Sequence, residues 1–384
     1  MSSIVPPRDK FDSATEGLHA ARAPVDADTG LPQRFEKILF TSAVPDQQTA
    51  WTKARMDVQR ITEELGYAIL QMPASVHPGD WLKLGRALKK SFAPGGHLLI
   101  EYPFEQRKRI YLLHLLSRFI GAKLYGLIHD LDSLRFEDSP RGRELAVLKL
   151  FDGLIAHNPT MSQWLRANGF TGKLVDLNLF DYYSAPASPS HENGMTSPVK
   201  VLCASNLSFE KAGYIYDRRL GELRNVALSL YGAFFEPQRM PASSVAYKGV
   251  FDPNTPRLDG KYHFGLVWDG TGVERCDGSY GRYMQFNNPH KLSLYVSLGL
   301  PVVVWKQAAA AEFVLSHGIG VTVGDLRELG ELPARVSSEA YQAMAERVAC
   351  LSHKVKRGMF LNEALRRLSG GSADAVEEES RQLP

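Results

Sequence analysis

Residues Phe286 to Trp305, FNNPHKLSLYVSLGLPVVVW, predict a helix that leads directly into a buried strand. Asn288 is a favourable N-cap residue, and Pro289 suits the first helical position, where its missing N–H costs nothing. Gly299 is predicted to end the helix before the apolar strand LPVVVW. A helix start presents free N–H groups and a positive dipole end to an anion. The positive charge of Lys291 in the first turn is unfavourable beside that dipole end. A bound diphosphate would explain a lysine at this position, and the alternative is an ordinary surface lysine.

Strands alternate with helices on both sides of this stretch. Apolar runs such as HLLIEYP, AKLYGLIHD and KVLCASN are each followed by a helical pattern, which predicts parallel β–α units. A segment rich in Pro, Ser and Gly separates the two halves. The predicted divisions are a disordered leader at 1–33, a Rossmann-like domain at 34–181, a linker at 182–199, a second Rossmann-like domain at 200–336, C-terminal helices at 337–369 and a frayed tail at 370–384.

The fold class that follows is α/β, with two Rossmann-like domains facing a cleft and a helical return at the C-terminus. Open parallel sheets bind ligands at the carboxyl ends of their strands. The polar residues that directly follow strands are therefore the candidates for a functional site.

Composition excludes several other classes of protein. The 384 residues are 44% hydrophobic and 23% charged, with 45 Lys and Arg against 42 Asp and Glu. A net charge of +3 argues against a dedicated nucleic-acid binder. The three cysteines, Cys203, Cys276 and Cys350, are far apart, which excludes a disulfide scaffold and argues against a zinc site. No apolar run is long enough for a membrane span. These features favour a cytoplasmic protein.

The predicted second domain carries candidates for binding an anionic ligand. Asn206 and Lys211 follow KVLCASN, and Lys211 is within reach of a phosphate; Asn206 is equally well explained as a helix cap. Tyr247 is placed to stack on a base, or is an ordinary half-buried tyrosine. Asp269 is placed to accept from a hydroxyl, or begins a turn before Gly270. His290 would add one hydrogen bond at the helix start.

In the predicted first domain, His129 and Asp130 end the strand AKLYGLIHD. A carboxylate or imidazole at this position suits a general base, with Asp130 as first choice and His129 as second. The structural alternative is that Asp130 caps a turn or pairs with Arg135.

Weaker candidates follow two other strands of that domain. His157 and Asn158 are placed to bind an acceptor or a phosphate, although Asn158 before a proline is better explained as a helix cap. Thr41 and Ser42 end the first strand and are candidates for contact with a donor.

A basic helix is predicted from Phe104 to Ile120, with Arg107, Lys108 and Arg109 near its start. A basic amphipathic helix of this kind is compatible with peripheral contact with an anionic membrane. Burial of its apolar residues in the core is the favoured alternative.

The stretch PHKLSLYVSLGLPVVVW resembles the C-terminal domain of a bacterial GT-B glycosyltransferase family. That family contains β-1,6-galactofuranosyltransferases and the accessory glucosyltransferases of streptococcal adhesin glycosylation. LIHDLDSLRF (127–136), DGLIAHNPTMSQWL (152–165) and FGLVWDG (264–270) are similar to the same family. Many GT-B enzymes have a glutamate that holds the ribose at the place of Leu294, so the nucleotide must be held differently here.

The resemblance implies transfer of galactofuranose or glucose from a UDP-sugar to a saccharide or lipid-linked saccharide. The reaction would serve bacterial surface-polysaccharide or glycoprotein assembly, and the resemblance implies that it inverts the configuration of the transferred sugar. It implies a nucleotide site in the second domain, an acceptor site in the first, no metal and no cofactor, and it permits a homo-oligomer. The alternatives are a non-catalytic nucleotide- or glycan-binding subunit and a sugar-nucleotide epimerase of the same fold.

Overall fold

The protein is described from a computed structural model. The residues that the structure describes are 35–41, 50–73, 76–104, 106–185, 190–240 and 245–370. The expected leader at 1–33, Ser42 and nearly all of the expected tail lie outside these residues.

Two six-stranded parallel sheets form the centre of the molecule. The first has the order β2-β1-β3-β4-β5-β6 and the second the order β12-β11-β10-β7-β8-β9. The strands of the first sheet are β1 (Phe35–Thr41), β2 (Ala68–Gln71), β3 (Phe92–Tyr102), β4 (Lys123–Ile128), β5 (Gly153–Ala156) and β6 (Lys173–Asp176). Those of the second are β7 (Val199–Ala204), β8 (Val226–Tyr231), β9 (Val245–Tyr247), β10 (Phe264–Val267), β11 (Val302–Trp305) and β12 (Gly320–Val323). The expected α/β class with two parallel sheets is confirmed.

Helices connect the strands and cover the sheets. Those of the first half are α1 (Ala50–Glu64), α2 (Pro78–Ser91), α3 (Arg107–Ile120), α4 (Asp132–Arg135), α5 (Arg141–Leu148) and α6 (Pro159–Ala167). Those of the second half are α7 (Phe209–Ala212), α8 (Arg218–Gly221), α9 (Gly278–Tyr283), α10 (His290–Ser297), α11 (Ala310–Ser316), α12 (Leu332–Arg335), α13 (Ser338–Val355) and α14 (Met359–Ser369). No helix in these ranges is both long enough and apolar enough to cross a membrane.

The first sheet is buried on both faces because its strands alternate between two clusters. Ile38 and Phe40 of β1 pack into the cluster formed with α2, α3, α5 and α6. Leu39, between them, packs into the opposite cluster with residues of α1 and α14. This alternation follows from the period of two residues in a strand.

The C-terminal helices return from the second sheet to the first, as expected. Helix α13 packs on α10, and α14 packs on β5, β6 and α1. The carboxylate of Asp181 accepts backbone N–H groups of Phe360 and Leu361 at 3.2 and 2.7 Å. Asp181 therefore fixes the start of α14 where the chain leaves the first sheet.

Helix α2 was not expected from the sequence. It begins after His77, whose ring accepts the N–H of Gly79, and it has a proline at its first position. Trp81, Gly85 and Leu88 form its buried face. Its four basic residues give the segment a polar composition, so its narrow apolar stripe is a weak signal.

Candidate active site

A cavity of about 370 Å³ lies between the two sheets, at the carboxyl ends of their strands. Strands β4, β7, β8 and β10 each end beside it. Its wall on the first half includes Trp51, Ala54, His129, Asp130, Arg135, His157, Phe180 and Tyr182. Its wall on the second half includes Ser205, Asn206, Lys211, Phe234, Asp269, Tyr280, Asn287, Pro289, His290, Lys291 and Leu294. The sequence-based expectation that residues following parallel strands meet at one cleft is met by this arrangement.

Lys291 and Asp269 form a buried ion pair in the cavity wall. The ammonium group of Lys291 donates to the Asp269 Oδ1 and to the Trp268 carbonyl, both at 2.8 Å. Both side chains are 6% exposed. An ammonium group has three N–H donors, so one remains for a ligand. Asp269 therefore holds Lys291 in place, and the hydroxyl contact expected for it stays a prediction.

Helix α10 brings Lys291 to the cavity because it packs closely on the second sheet. A Cβ on Gly265 of β10 would lie 2.2 Å from the ring of Tyr295, so only glycine admits that ring. The hydroxyl of Tyr295 accepts the N–H of Ala204 at 2.8 Å. These contacts fix the start of α10 at the cavity.

Lys211 adds a second cation to the same wall. Its Nζ lies 5.2 Å from the centre of the Tyr280 ring, and within the described ranges it has no ion pair or hydrogen bond. Burial lowers its pKa, an effect that the nearby Asp269 opposes and Lys291 reinforces. A bound anion would favour the charged form of Lys211.

Asn288 does not cap α10, contrary to expectation. The helix begins at His290, with Pro289 in the cap position. The side chain of Asn288 instead donates to the carbonyls of His157 and Asn178 at 2.7 and 2.6 Å. These two bonds satisfy the N–H groups of a buried amide. The side chain is therefore held by the first half of the chain and does not turn back to cap α10.

His157 and Asn158 belong to this inter-sheet contact and do not offer free groups to an acceptor. His157 Nδ1 accepts the backbone N–H of Asn288 at 2.9 Å, so Nε2 carries the proton and donates to the Ile128 carbonyl at 3.0 Å. Asn158 caps α6 through the N–H of Met161 and donates to the Asn288 Oδ1 at 2.8 Å. The capping alternative for Asn158 is therefore the observed one.

We expect the unfolding free energy to fall on acidification, in part because of His157. Burial lowers the pKa of His157 to about 3, below the value of roughly 6.5 in an unfolded chain. Its contribution is complete above pH 6.5 and is lost as the pH falls toward 3. At pH 5 the loss of unfolding free energy from this group amounts to about 2 kcal/mol.

Urea unfolding at pH 7 and pH 5 measures this effect. The loss between the two values should be about 2 kcal/mol smaller in His157→Gln than in the unmodified protein. His353→Gln, at an exposed position of α13, is the control and should leave the loss unchanged. Equal losses in all three proteins would contradict the prediction.

His129 forms a buried pair with Glu101, which the sequence did not reveal. His129 Nε2 lies 2.7 Å from Glu101 Oε2, and Glu101 is fully buried. The carboxylate fixes the proton on Nε2 and leaves Nδ1 as the basic nitrogen. The Arg55 guanidinium lies 3.8 Å from the other oxygen of Glu101, and the His129 ring stacks on Phe180. This pair has the arrangement of a general base with an orienting carboxylate.

Asp130 lines the cavity but is paired with Arg135. Arg135 Nη1 lies 3.0 Å from Asp130 Oδ2, and both side chains are about one quarter exposed. The structural alternative for Asp130 is therefore observed. Because Arg135 occupies an oxygen of this carboxylate, whereas Nδ1 of His129 has no such partner among the described residues, the geometry favours His129 over Asp130 for proton abstraction.

Two other expected residues, Tyr247 and Thr41, do not line the cavity, and a third, Asn206, lines it with its side-chain oxygen already bonded. Tyr247 stacks on Phe235, with ring centres 4.2 Å apart, and is not part of the cavity wall. Its strand, β9, lies at the edge of the second sheet, and the Tyr247 hydroxyl donates to the Gly232 carbonyl at 3.1 Å. Thr41 is buried at the end of β1 and is also absent from the wall. Asn206 lines the cavity, but its side-chain oxygen accepts the N–H of Ser208 at 2.9 Å, as its capping alternative predicts.

Polar atoms without partners also face this region. Ser205 Oγ, Asn287 Oδ1 and His290 Nε2 are buried without a hydrogen-bond partner in the described part of the chain, and all three residues line the cavity. Buried polar groups are normally bonded, so these three favour a polar ligand. Ser205 directly follows β7, and Asn287 lies shortly after α9. Position after a strand or helix was the only sequence signal for these two residues, and it is a weak one.

Within the described ranges, no group of three or more His, Cys, Asp and Glu residues is placed to hold a metal ion.

Comparisons with known proteins agree over nearly the whole described chain. Residues 37–179 match the model of the glucosyltransferase 3-like N-terminal domain, and residues 201–368 match that of the C-terminal domain. The β-1,6-galactofuranosyltransferase WbbI of Escherichia coli (strain K12) is 33% identical over 66% of this chain and 74% of its own. Glucosyltransferase 3 of Streptococcus gordonii is 28% identical over 81% of this chain and 92% of its own.

Two solved structures share the fold at low sequence identity. Alr3699/HepE of Anabaena, in complex with UDP-glucose, has a TM-score of 0.51 and 15% identity, covering 89% of this chain and 99% of its own. Sucrose-phosphate synthase of Thermosynechococcus elongatus has a TM-score of 0.53 and 13% identity, covering 86% of this chain and 99% of its own.

Proposed function

The chain belongs to the glucosyltransferase 3-like family, and from this membership we propose that it transfers a sugar from a UDP-sugar to a saccharide acceptor. It is a glycosyltransferase with the GT-B fold. The observation that carries the donor proposal is the pair of cations, Lys211 and Lys291, beside the start of α10 in one cavity. The names of the relatives support galactofuranose or glucose as the donor sugar.

The proposed donor site lies on the wall formed by the second sheet. The diphosphate would take the third N–H of Lys291, the ammonium group of Lys211 and the free N–H groups at the start of α10. Leu294 occupies the place where many GT-B enzymes hold the ribose, and it lines the cavity. Ser205 and Asn287 would supply polar contacts to the nucleoside instead, because their buried oxygens have no partner in the described residues.

The proposed reaction is a direct displacement with inversion at the sugar carbon. His129 Nδ1 takes the proton of the acceptor hydroxyl, and the hydroxyl oxygen bonds to the anomeric carbon. The bond from that carbon to the phosphate oxygen breaks, and UDP leaves with the electron pair. Cations fixed where this charge develops lower the barrier. Glu101 stabilises the imidazolium that forms, as a buried carboxylate does beside a catalytic histidine.

The acceptor is proposed to be a saccharide, free or carried on a lipid, bound at the wall of the first sheet. Trp51 and Phe180 line that wall, and aromatic rings offer apolar faces to sugar rings. Self-association and a cytoplasmic location stay predictions.

Thermal unfolding with nucleotides tests the donor proposal. UDP at 100 times its dissociation constant should add about 2.7 kcal/mol of stability, whereas GDP, dTDP, CMP and NAD should add less. Lys211→Met should lose the UDP effect and keep the fold, because its ammonium group has no carboxylate partner in the described ranges. Lys149→Met, at an exposed position after α5, is the control and should keep the effect.

A labelled donor then separates transfer from the alternatives. Product should form only when both the UDP-sugar and a saccharide acceptor are present. Epimerised donor without acceptor, or nucleotide binding without any turnover, would contradict the proposed function.

A further inference from the structure

Helices α2 and α3 carry a concentration of positive charge that the transfer reaction does not use. Together they contain eight Lys and Arg residues and one Asp, a local charge of +7 in a chain whose net charge is +3. The rest of the chain is therefore net negative. The exposed basic residues of the pair are Lys83, Arg86, Lys89, Lys90, Lys108 and Arg118.

An apolar stripe lies on the exposed face of α3. Tyr111, Leu115 and Phe119 recur every four residues and therefore share one side of the helix. They are 45%, 63% and 43% exposed, and Leu82 of α2 is 46% exposed. The opposite side of α3 already supplies the core, through buried Ile110, Leu113 and Leu116. The exposed surface of the stripe is therefore additional to this core, although part of the Phe119 ring also packs on α2.

The charge and the stripe form one surface because the two helices pack closely. A Cβ on Gly85 of α2 would lie 3.1 Å from side-chain carbons of Leu116 and Phe119. Lys89 Nζ lies 4.6 Å from the centre of the Phe119 ring. Basic groups thus surround exposed apolar side chains, as in helices that lie in a membrane interface.

We propose that this α2–α3 surface docks on an anionic lipid membrane. Leu82, Tyr111, Leu115 and Phe119 would enter the boundary between headgroups and acyl chains, while the lysines and arginines contact lipid phosphates. A nucleic acid would use the positive charge but leave the leucines in water, so the exposed stripe favours the lipid. The proposal does not depend on the identity of the donor.

Vesicle flotation of the full chain tests the docking surface. The protein should float with vesicles containing phosphatidylglycerol, and much less with phosphatidylcholine alone or at high salt. Leu115→Asp should lower the partition into anionic vesicles by about tenfold or more. Leu315→Asp on α11 is the matched control, since Leu315 is 56% exposed, and it should float like the unmodified protein.

Several results would overturn the proposal. These are no flotation with anionic vesicles, equal flotation of Leu115→Asp, and retention of a labelled RNA without vesicle binding. Transfer activity of Leu115→Asp on a soluble acceptor should be unchanged, so loss of docking and loss of catalysis are distinguishable.

Discussion

Replacing Lys291 by methionine is expected to lower kcat/KM by about 100- to 1,000-fold. The proposed role of its ammonium group is to meet the negative charge that develops on the leaving diphosphate. Removal of one fixed donor to such a charge costs on this order in other enzymes. Steady-state kinetics with the UDP-sugar and a saccharide acceptor measure the loss.

The same replacement should also destabilise the fold, which calls for a second variant. Without Lys291, the Asp269 carboxylate remains buried with no cation 2.8 Å away. Leaving one partner of a buried pair uncompensated costs about 3–5 kcal/mol. Lys291→Met combined with Asp269→Asn removes both charges and should recover most of the unfolding free energy.

The double variant separates catalysis from stability. Its unfolding midpoint should approach that of the unmodified protein, while its kcat/KM should remain as low as that of Lys291→Met. If the double variant regains normal transfer, the ion pair serves only the fold and the assignment of Lys291 to the diphosphate is wrong.

The sequence predicted the fold and some residues on both walls of the site, because these depend on local patterns. Alternation of strands and helices gave two parallel sheets, and a parallel sheet collects the residues that follow its strands at one edge. Asp130 and Asp269 could therefore be placed at a common cleft from their positions after strands. Both line the observed cavity.

The remaining parts of the site depend on partners distant in the sequence. Glu101 looks like one residue of an apolar strand, and it becomes a partner of His129 only because β3 pairs with β4 in the sheet. Asn288 looks like a helix cap, but its partner His157 is 131 residues away. Neither partner can be found without the strand order and the packing of the two sheets.

Replacing His129 by glutamine is expected to lower kcat by about 100- to 10,000-fold, the range for loss of a general base. UDP binding should be unchanged, because His129 lies on the wall opposite to Lys211 and Lys291. The measurements are kcat with saturating acceptor and the UDP-induced shift in thermal unfolding.

Glu101 is expected to act through His129 as a positioning residue. Glu101→Gln keeps a hydrogen-bond acceptor near Nε2 but removes the charge that stabilises the imidazolium, so kcat should fall while the KM for the donor stays the same. His97→Gln is the matched control, since His97 is a buried histidine of β3 whose Nε2 lies 2.6 Å from the Tyr67 hydroxyl. That variant should lose stability and keep kcat.

Asp130→Asn decides between the two candidate bases. Because Asp130 is already paired with Arg135 at 3.0 Å, its loss should reduce kcat less than the loss of His129. The opposite order, with Asp130→Asn more severe than His129→Gln, would return the base to Asp130. In that case Arg135, whose Nη1 lies 3.0 Å from Asp130 Oδ2, would have to release the carboxylate when the acceptor binds.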